Sequence, residues 1–146
     1  MGRMERTATM TPVEAAQILA DEGFTGWQVV TFGAIGMAES RLDPLALHRV
    51  NRPGTPAHLS IDHGWLQIND YWQRLLLMNV PVRAPYQSVA QYLADPHNCA
   101  AVARAMFHNA GGAPKVYELW NTYVAGLHKP YLPGARGAAR AIGIDV

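Results

Sequence analysis

The chain has 146 residues, 49% of them hydrophobic and 16% charged, with a formal net charge of +1, which is the composition of one compact globular domain. Lys and Arg are scattered and give no basic stripe for nucleic acid; the single Cys99 excludes an internal disulfide, argues against a thiolate metal site and fits a small core residue. No apolar run is long enough to span a bilayer and the charged start lacks the apolar segment of a secretory signal, so the expectation is a protein made in the cytoplasm without membrane insertion.

Residues 1–10 read as a flexible lead-in and residues 11–146 as one domain. Thr11-Pro12-Val13-Glu14 is a capping box with Pro at the first helical position, and it opens a helix expected to run to Glu22 and stop at Gly23. A second start at Thr25-Gly26-Trp27-Gln28 opens WQVVTFGAIGMAES, apolar on nearly every face and therefore a central buried helix, with Glu39 and Ser40 at its polar end. Gly33 and Gly36 each cost about 1 kcal/mol against Ala inside a helix; close approach by another element is the expected compensation. Residues 43–59 carry Pro and Gly with little periodicity and read as a long loop. SIDHGWLQIN, residues 60–69, alternates over part of its length around Gly64, which predicts a short, irregular hairpin or two brief strands.

Helices then return. One is capped by Asn69 or Asp70 over YWQRLLLMN, one by Ser88 over VAQYLA, and one by Asp95 over HNCAAVARAMFHNA, stopped at Gly111-Gly112. Pro114 opens KVYELWNTYVAG, and a last helix follows Pro133. The fold class is α+β, predominantly α-helical, with a small β-hairpin region in the first half.

The 11 acidic residues sort by position. Glu14 belongs to a capping box, Asp70 and Asp95 to N-caps, Asp43 to a turn before Pro44, and Glu5, Asp21, Glu22, Glu118 and Asp145 to solvated faces or ends. Glu39 and Asp62 remain. At the C-terminal end of an apolar helix, burial and the negative end of the helix dipole both disfavour an ionised carboxylate, so Glu39 is expected to hold its proton above the usual range and to serve as a general acid. The alternative is an outward Glu39 that caps the helix or pairs with Arg41. Ser60, His63, Gln67 and Asn69 offer Asp62 hydrogen bonds that keep it ionised; an Asx-turn beside Gly64 is the alternative. One raised and one ordinary carboxylate is the pair that glycoside hydrolysis uses, although position alone leaves the pairing open.

His48, His58, His63, His97, His108 and His128 form no His-x-x-x-His or His-Glu-x-x-His pattern, so no metal or other cofactor is expected and they read as surface or supporting residues. Ser40 lacks the Gly-flanked elbow of a hydrolase nucleophile. Trp120 with Tyr117 and Tyr123 at helical spacing reads first as core packing, with stacking on a sugar as the functional alternative.

Taken together, these residues have a family likeness. AIGMAESRLDPLAL resembles the catalytic-helix end of the lysozyme-like superfamily of soluble lytic transglycosylases and goose-type lysozymes, where Glu-Ser follows an apolar helix and an Asn-Pro or Asp-Pro turn comes next. SIDHGWLQIN followed by DYW resembles the β-region of chicken-type lysozymes. Continued by DPHNCAAVARAMF and LWNTYVAGLHKPYL, the set is similar to the lysozyme-like domains of actinobacteria and their phages over about residues 27–135.

The resemblance implies Glu39 as general acid and Asp62 as the second carboxylate of the chicken-type branch, which the transglycosylase branch lacks. It implies Gln67 and Asn69 as residues lining a sugar-binding cleft, with Ser40 beside them. Tyr123 in TYVAG matches the Tyr of the transglycosylase Tyr-Asn-Ala-Gly motif, where Val124 here replaces the Asn. Inserted residues 51–59 lengthen the gap between Glu39 and Asp62 relative to chicken-type lysozymes.

The activity so implied is a peptidoglycan-cleaving muramidase acting on the β-1,4 bond between N-acetylmuramic acid and N-acetylglucosamine, with glycan strands as partner. Glu39 would protonate the glycosidic oxygen and Asp62 would stabilise the oxocarbenium-like centre. A lytic transglycosylase, using Glu39 alone and leaving 1,6-anhydro ends, is the first alternative; a non-catalytic peptidoglycan-binding or phage tail module is the second. A disulfide-free chain without a signal peptide fits a phage origin, either as a virion component or as a lysis protein released to the wall, with other phage proteins as partners.

Overall fold

The computed structural model describes residues 9–49, 60–78 and 88–146. In chain order these form α1 (Pro12–Asp21), α2 (Trp27–Ser40), the strands β1 (Leu47–Arg49), β2 (Ile61–His63) and β3 (Ile68–Asn69), then α3 (Arg74–Leu77), α4 (Val89–Ala94) and α5 (Pro96–Ala110). A 3-10 helix (Lys115–Leu119), α6 (Asn121–Val124), a second 3-10 turn (Lys129–Tyr131) and α7 (Leu132–Ala141) complete it. The α+β, mainly helical class read from the sequence is the one observed.

Both halves of the capping box at α1 are made: Glu14 N–H donates to Thr11 Oγ1 at 3.1 Å and Thr11 N–H to Glu14 Oε1 at 2.8 Å. Gly23, with φ of 99°, ends that helix where expected. Of the lead-in, residues 1–8 lie outside the described residues, while Met10 N–H already donates to Leu42 O at 2.9 Å and so belongs to the domain.

α2 is the axis of the molecule, with α1 and α7 packed along it. Val30, Phe32, Ala34 and Ile35 are fully buried, which accounts for the apolar run on every face. The two glycines of α2 differ in use. A Cβ on Gly36 would stand 2.5 Å from the Trp65 ring, so the indole occupies the space that a side chain would need, whereas a Cβ on Gly33 would meet Ala135 of α7 at an ordinary 3.5 Å. The helix ends on two left-handed residues that are not glycine, Arg41 (φ 55°) and Leu42 (φ 61°), with Arg41 N–H bonded to Met37 O and Leu42 N–H to Gly36 O. Backbone of this kind costs about 1–2 kcal/mol per residue, and the burial of Leu42 holds it.

The strands form one antiparallel sheet in the order β1-β2-β3, with His48 opposite Asp62 and Asp62 opposite Asn69. The two brief strands read around Gly64 are therefore present. The loop expected over residues 43–59 is corrected in part: Leu47–Arg49 is a strand. All of its residues are exposed, so backbone pairing to β2 holds it and no alternation marks it. Residues 50–59 lie outside the described residues.

Two helices also differ from expectation. Over YWQRLLLMN the helix is only Arg74–Leu77, because Asn69 Oδ1 accepts from Tyr71 N–H at 3.0 Å and Trp72 N–H at 2.8 Å and shapes a turn first. KVYELWNTYVAG is not continuous: a 3-10 turn and α6 meet at Trp120, which is extended (φ −106°, ψ 122°). Trp120 sits there because its indole is buried and its Nε1–H donates to Leu66 O at 2.6 Å. The chain bends to keep that tertiary bond.

Candidate active site

Glu39 lies in the last turn of α2, half-buried, where the helix delivers its side chain toward the sheet. A cavity of about 410 Å³ opens beside it. Gln67, Ile68 and Asn69 form the sheet side, Trp72 and Gln73 continue that wall, Met106 of α5 lies at its apolar base, and residues 118–121 close the other side. Thr122, the next residue, donates its hydroxyl to Glu39 Oε2 at 2.8 Å. Such a donor holds one oxygen of the carboxyl in place beside the cavity.

The sheet wall is built from buried polar groups whose hydrogen bonds are internal. Gln67 has φ of 54°, and its Nε2 donates to Gly64 O at 2.9 Å and Ala46 O at 3.3 Å. Asn69 Nδ2 donates to Ser60 Oγ at 2.7 Å and Asp62 Oδ1 at 2.8 Å, while its Oδ1 caps the following turn. A side chain of this kind spans strand, neighbour strand and turn at once, which explains why SIDHGWLQIN is both polar and buried.

A family model described as a lysozyme like domain matches residues 16–120, well over half of the chain. The chain belongs to the lysozyme-like domain family. No curated protein and no solved structure matches it. The α+β architecture, with the sheet beside the end of a buried helix, is the fold of that family as the sequence motifs implied.

Within this lysozyme-like domain, Glu39, Gln67 and Asn69 share one cavity, and Ser40, Asp62 and Tyr123 are not among its lining residues. Ser40 is spent on the frame: its hydroxyl donates to Trp65 O at 2.7 Å and accepts from Asp43 N–H at 3.2 Å, tying the end of α2 to the sheet. Asp62, 5% exposed, stands behind Asn69 and accepts from it. The Tyr123 ring lies 5.1 Å from that of Tyr117 and stacks on buried His128 at 4.6 Å, a packing role at the foot of α6.

Sequence reasoning did not single out Thr122, Trp72, Gln73 or Asn121, and it assigned Glu118 to a solvated face. Glu118 is exposed, yet it also lines the cavity. The available signal was the Gly-x-x-Glu-Ser helix end combined with a Trp-Asn-Thr-Tyr segment, but the break at Trp120 that turns Thr122 toward Glu39 depends on the Leu66 carbonyl, which is remote in sequence. Asp70, expected as a helix cap, instead accepts from Ile61 N–H at 3.0 Å and pairs with His63 Nε2 at 3.0 Å. Among the described residues no cluster of His, Cys, Asp and Glu has the arrangement of a metal site.

Proposed function

We propose that this lysozyme-like domain cleaves the β-1,4 bond between N-acetylmuramic acid and N-acetylglucosamine in peptidoglycan with Glu39 as its single acid and base. The proton of the Glu39 carboxyl passes to the glycosidic oxygen, the bond from that oxygen to the muramoyl anomeric carbon breaks, and its electron pair leaves with the N-acetylglucosamine hydroxyl. The resulting Glu39 carboxylate then takes the proton of the muramoyl 6-hydroxyl. Its oxygen closes on the oxocarbenium-like carbon to give a 1,6-anhydro end and return the carboxyl to its starting form.

The observation that carries the choice of transglycosylation over muramidase chemistry is the position of Asp62. Most retaining and inverting hydrolases hold a second carboxylate against the bond; Asp62 is buried and bonded to Asn69, outside the residues that line the cavity with Glu39, and Glu118, the cavity's other acid, is exposed with no hydrogen bond among the described residues to orient it. Thr122 supports the acid/base role, since a hydroxyl can donate to the carboxylate form and accept from the carboxylic acid form of the same residue.

The setting we attach to this activity is a phage virion or lysis protein acting on the wall; it rests on the likeness of the motifs alone. Digestion of purified peptidoglycan followed by mass spectrometry tests the reaction. Anhydro-muramoyl ends are expected, and Glu39→Gln should lower their rate of release about 10²–10⁴-fold, the usual span for general acid catalysis. Reducing ends would overturn transglycosylation, and equal clearing by Glu39→Gln would remove Glu39 from the chemistry.

A further inference from the structure

The polar side chains of the cavity divide by whether their hydrogen bonds are already made. Gln67, Asn69 and Trp120 direct theirs to the protein's own carbonyls, amides and hydroxyls, and Glu39 holds Thr122. Glu118 and Asn121 on one side, with Gln73 on the other, line the same cavity and make no side-chain hydrogen bond or ion pair among the described residues. With the Trp72 indole N–H and Gln67 Oε1, which likewise make no hydrogen bond among the described residues, these are the groups left for a ligand. Gln67 and Asn69, the residues that family likeness pointed to, spend their amide N–H groups on the wall itself, whereas Glu118 and Asn121 are exposed and Gln73 is half-exposed.

Charge narrows the ligand. Among the described residues the lining includes two acids, Glu39 and Glu118, and no Lys, Arg or His. A carboxylate accepts hydrogen bonds and donates none, and bonds to it from a charged donor are roughly twice as strong as neutral ones. Glu118 is exposed and among the described residues no hydrogen bond or ion pair holds it in the orientation a catalytic base needs, which lets it follow a ligand donor.

We infer that Glu118, together with Asn121 and Gln73, is the polar grip on the glycan, and that its carboxylate favours substrates presenting ammonium donors, that is N-deacetylated amino sugars, over their N-acetylated counterparts at the sugar beside it. This rests on the glycan reading of the cleft proposed above and adds to it the residue that sets substrate charge preference.

The test is calorimetric binding to the Glu39→Gln protein, which separates binding from cleavage, using N-acetylglucosamine and glucosamine oligomers of equal length. Glu118→Gln in that background should weaken the glucosamine oligomer about two- to five-fold more than the acetylated one, the scale of an exposed ion pair. Raising the ionic strength should shrink the difference. Asn121→Ala should weaken both alike, because an amide is neutral. Equal loss for both oligomers on Glu118→Gln, or no loss, overturns the assignment alone. Binding of neither oligomer, by the Glu39→Gln or the unaltered protein, overturns the glycan reading beneath it. A fall in kcat with unchanged affinity when Glu118→Gln is placed in the active protein also overturns it, by making Glu118 a base.

Discussion

Thr122 shows how much one hydroxyl can carry. It sits on the short α6, its carbonyl accepts from Leu127 N–H at 2.8 Å, and its Oγ1 donates to Glu39 Oε2 at 2.8 Å. A hydrogen bond to a charged group contributes about 1.5–3 kcal/mol, so Thr122→Val should lower kcat about 10- to 100-fold while leaving KM nearly unchanged. Thr122→Ser should recover most of the loss. Steady-state rates on solubilised peptidoglycan check this; a Thr122→Val enzyme with unchanged kcat would show that the hydroxyl does not position the carboxyl. At this scale the sequence was half legible. Glu39 stood out because an acid at the end of an apolar helix has few other uses, and Gln67 and Asn69 because a polar run among Trp65, Leu66 and Ile68 needs a reason. Thr122 could not stand out, since a Thr in a helical stretch has many uses and only the fold reveals this one. Asp62 stood out equally, and its burial behind Asn69 came from a strand register that residue types do not specify.

At the scale of elements, the helices with local start and stop signals were readable: Thr11 and Glu14 at α1, Asp95 and Gly111 around α5, Ser88 at α4. Elements defined by distant partners were not. β1 exists through pairing to β2, and the bend at Trp120 through the Leu66 carbonyl. The glycines of α2 lie between these cases, because their cost was legible and their use was not. They yield substitutions of opposite sign. In Gly36→Ala the new methyl would press on the Trp65 ring at 2.5 Å, and overpacking of a filled core costs about 1–3 kcal/mol, more than the roughly 1 kcal/mol of helix propensity gained. In Gly33→Ala the methyl meets Ala135 Cβ at 3.5 Å, so the propensity gain survives and the protein should be stabilised by up to about 1 kcal/mol. Urea unfolding measures both; a stabilised Gly36→Ala protein would mean that the indole is free to move aside.

Across the whole molecule, one buried turn joins the parts. Residues 64–67 connect β2 to β3 and are buried, and the carbonyls around the turn are satisfied by side chains, one from the turn itself and three from elsewhere: Gln67 Nε2 on Gly64 O at 2.9 Å, Ser40 Oγ on Trp65 O at 2.7 Å, Trp120 Nε1 on Leu66 O at 2.6 Å, and Cys99 Sγ on His63 O at 3.9 Å. The end of α2, α5 and the corner before α6 thus meet at one point, and the cavity wall depends on all of them. Cys99 makes this dependence measurable. Burial pushes its thiol up from 9.0 to about 12, so the native state keeps a proton that the unfolded chain releases from about pH 9. Above that pH the unfolded state binds fewer protons than the native one, and stability therefore falls as pH rises. The contribution is fully present below pH 9.0 and lost progressively toward about 12, at roughly 1.4 kcal/mol per pH unit. Tyr117, also raised by burial from 10.0, adds a loss of the same sign only at higher pH, so the interval from pH 9 to 10 isolates the thiol. Unfolding free energies measured by urea titration across that interval should decline in the native protein, and the decline should flatten in Cys99→Ala. Matching slopes for the two proteins would mean that the thiol ionises without opening the turn, and that the junction of sheet and helices is looser than its hydrogen bonds imply.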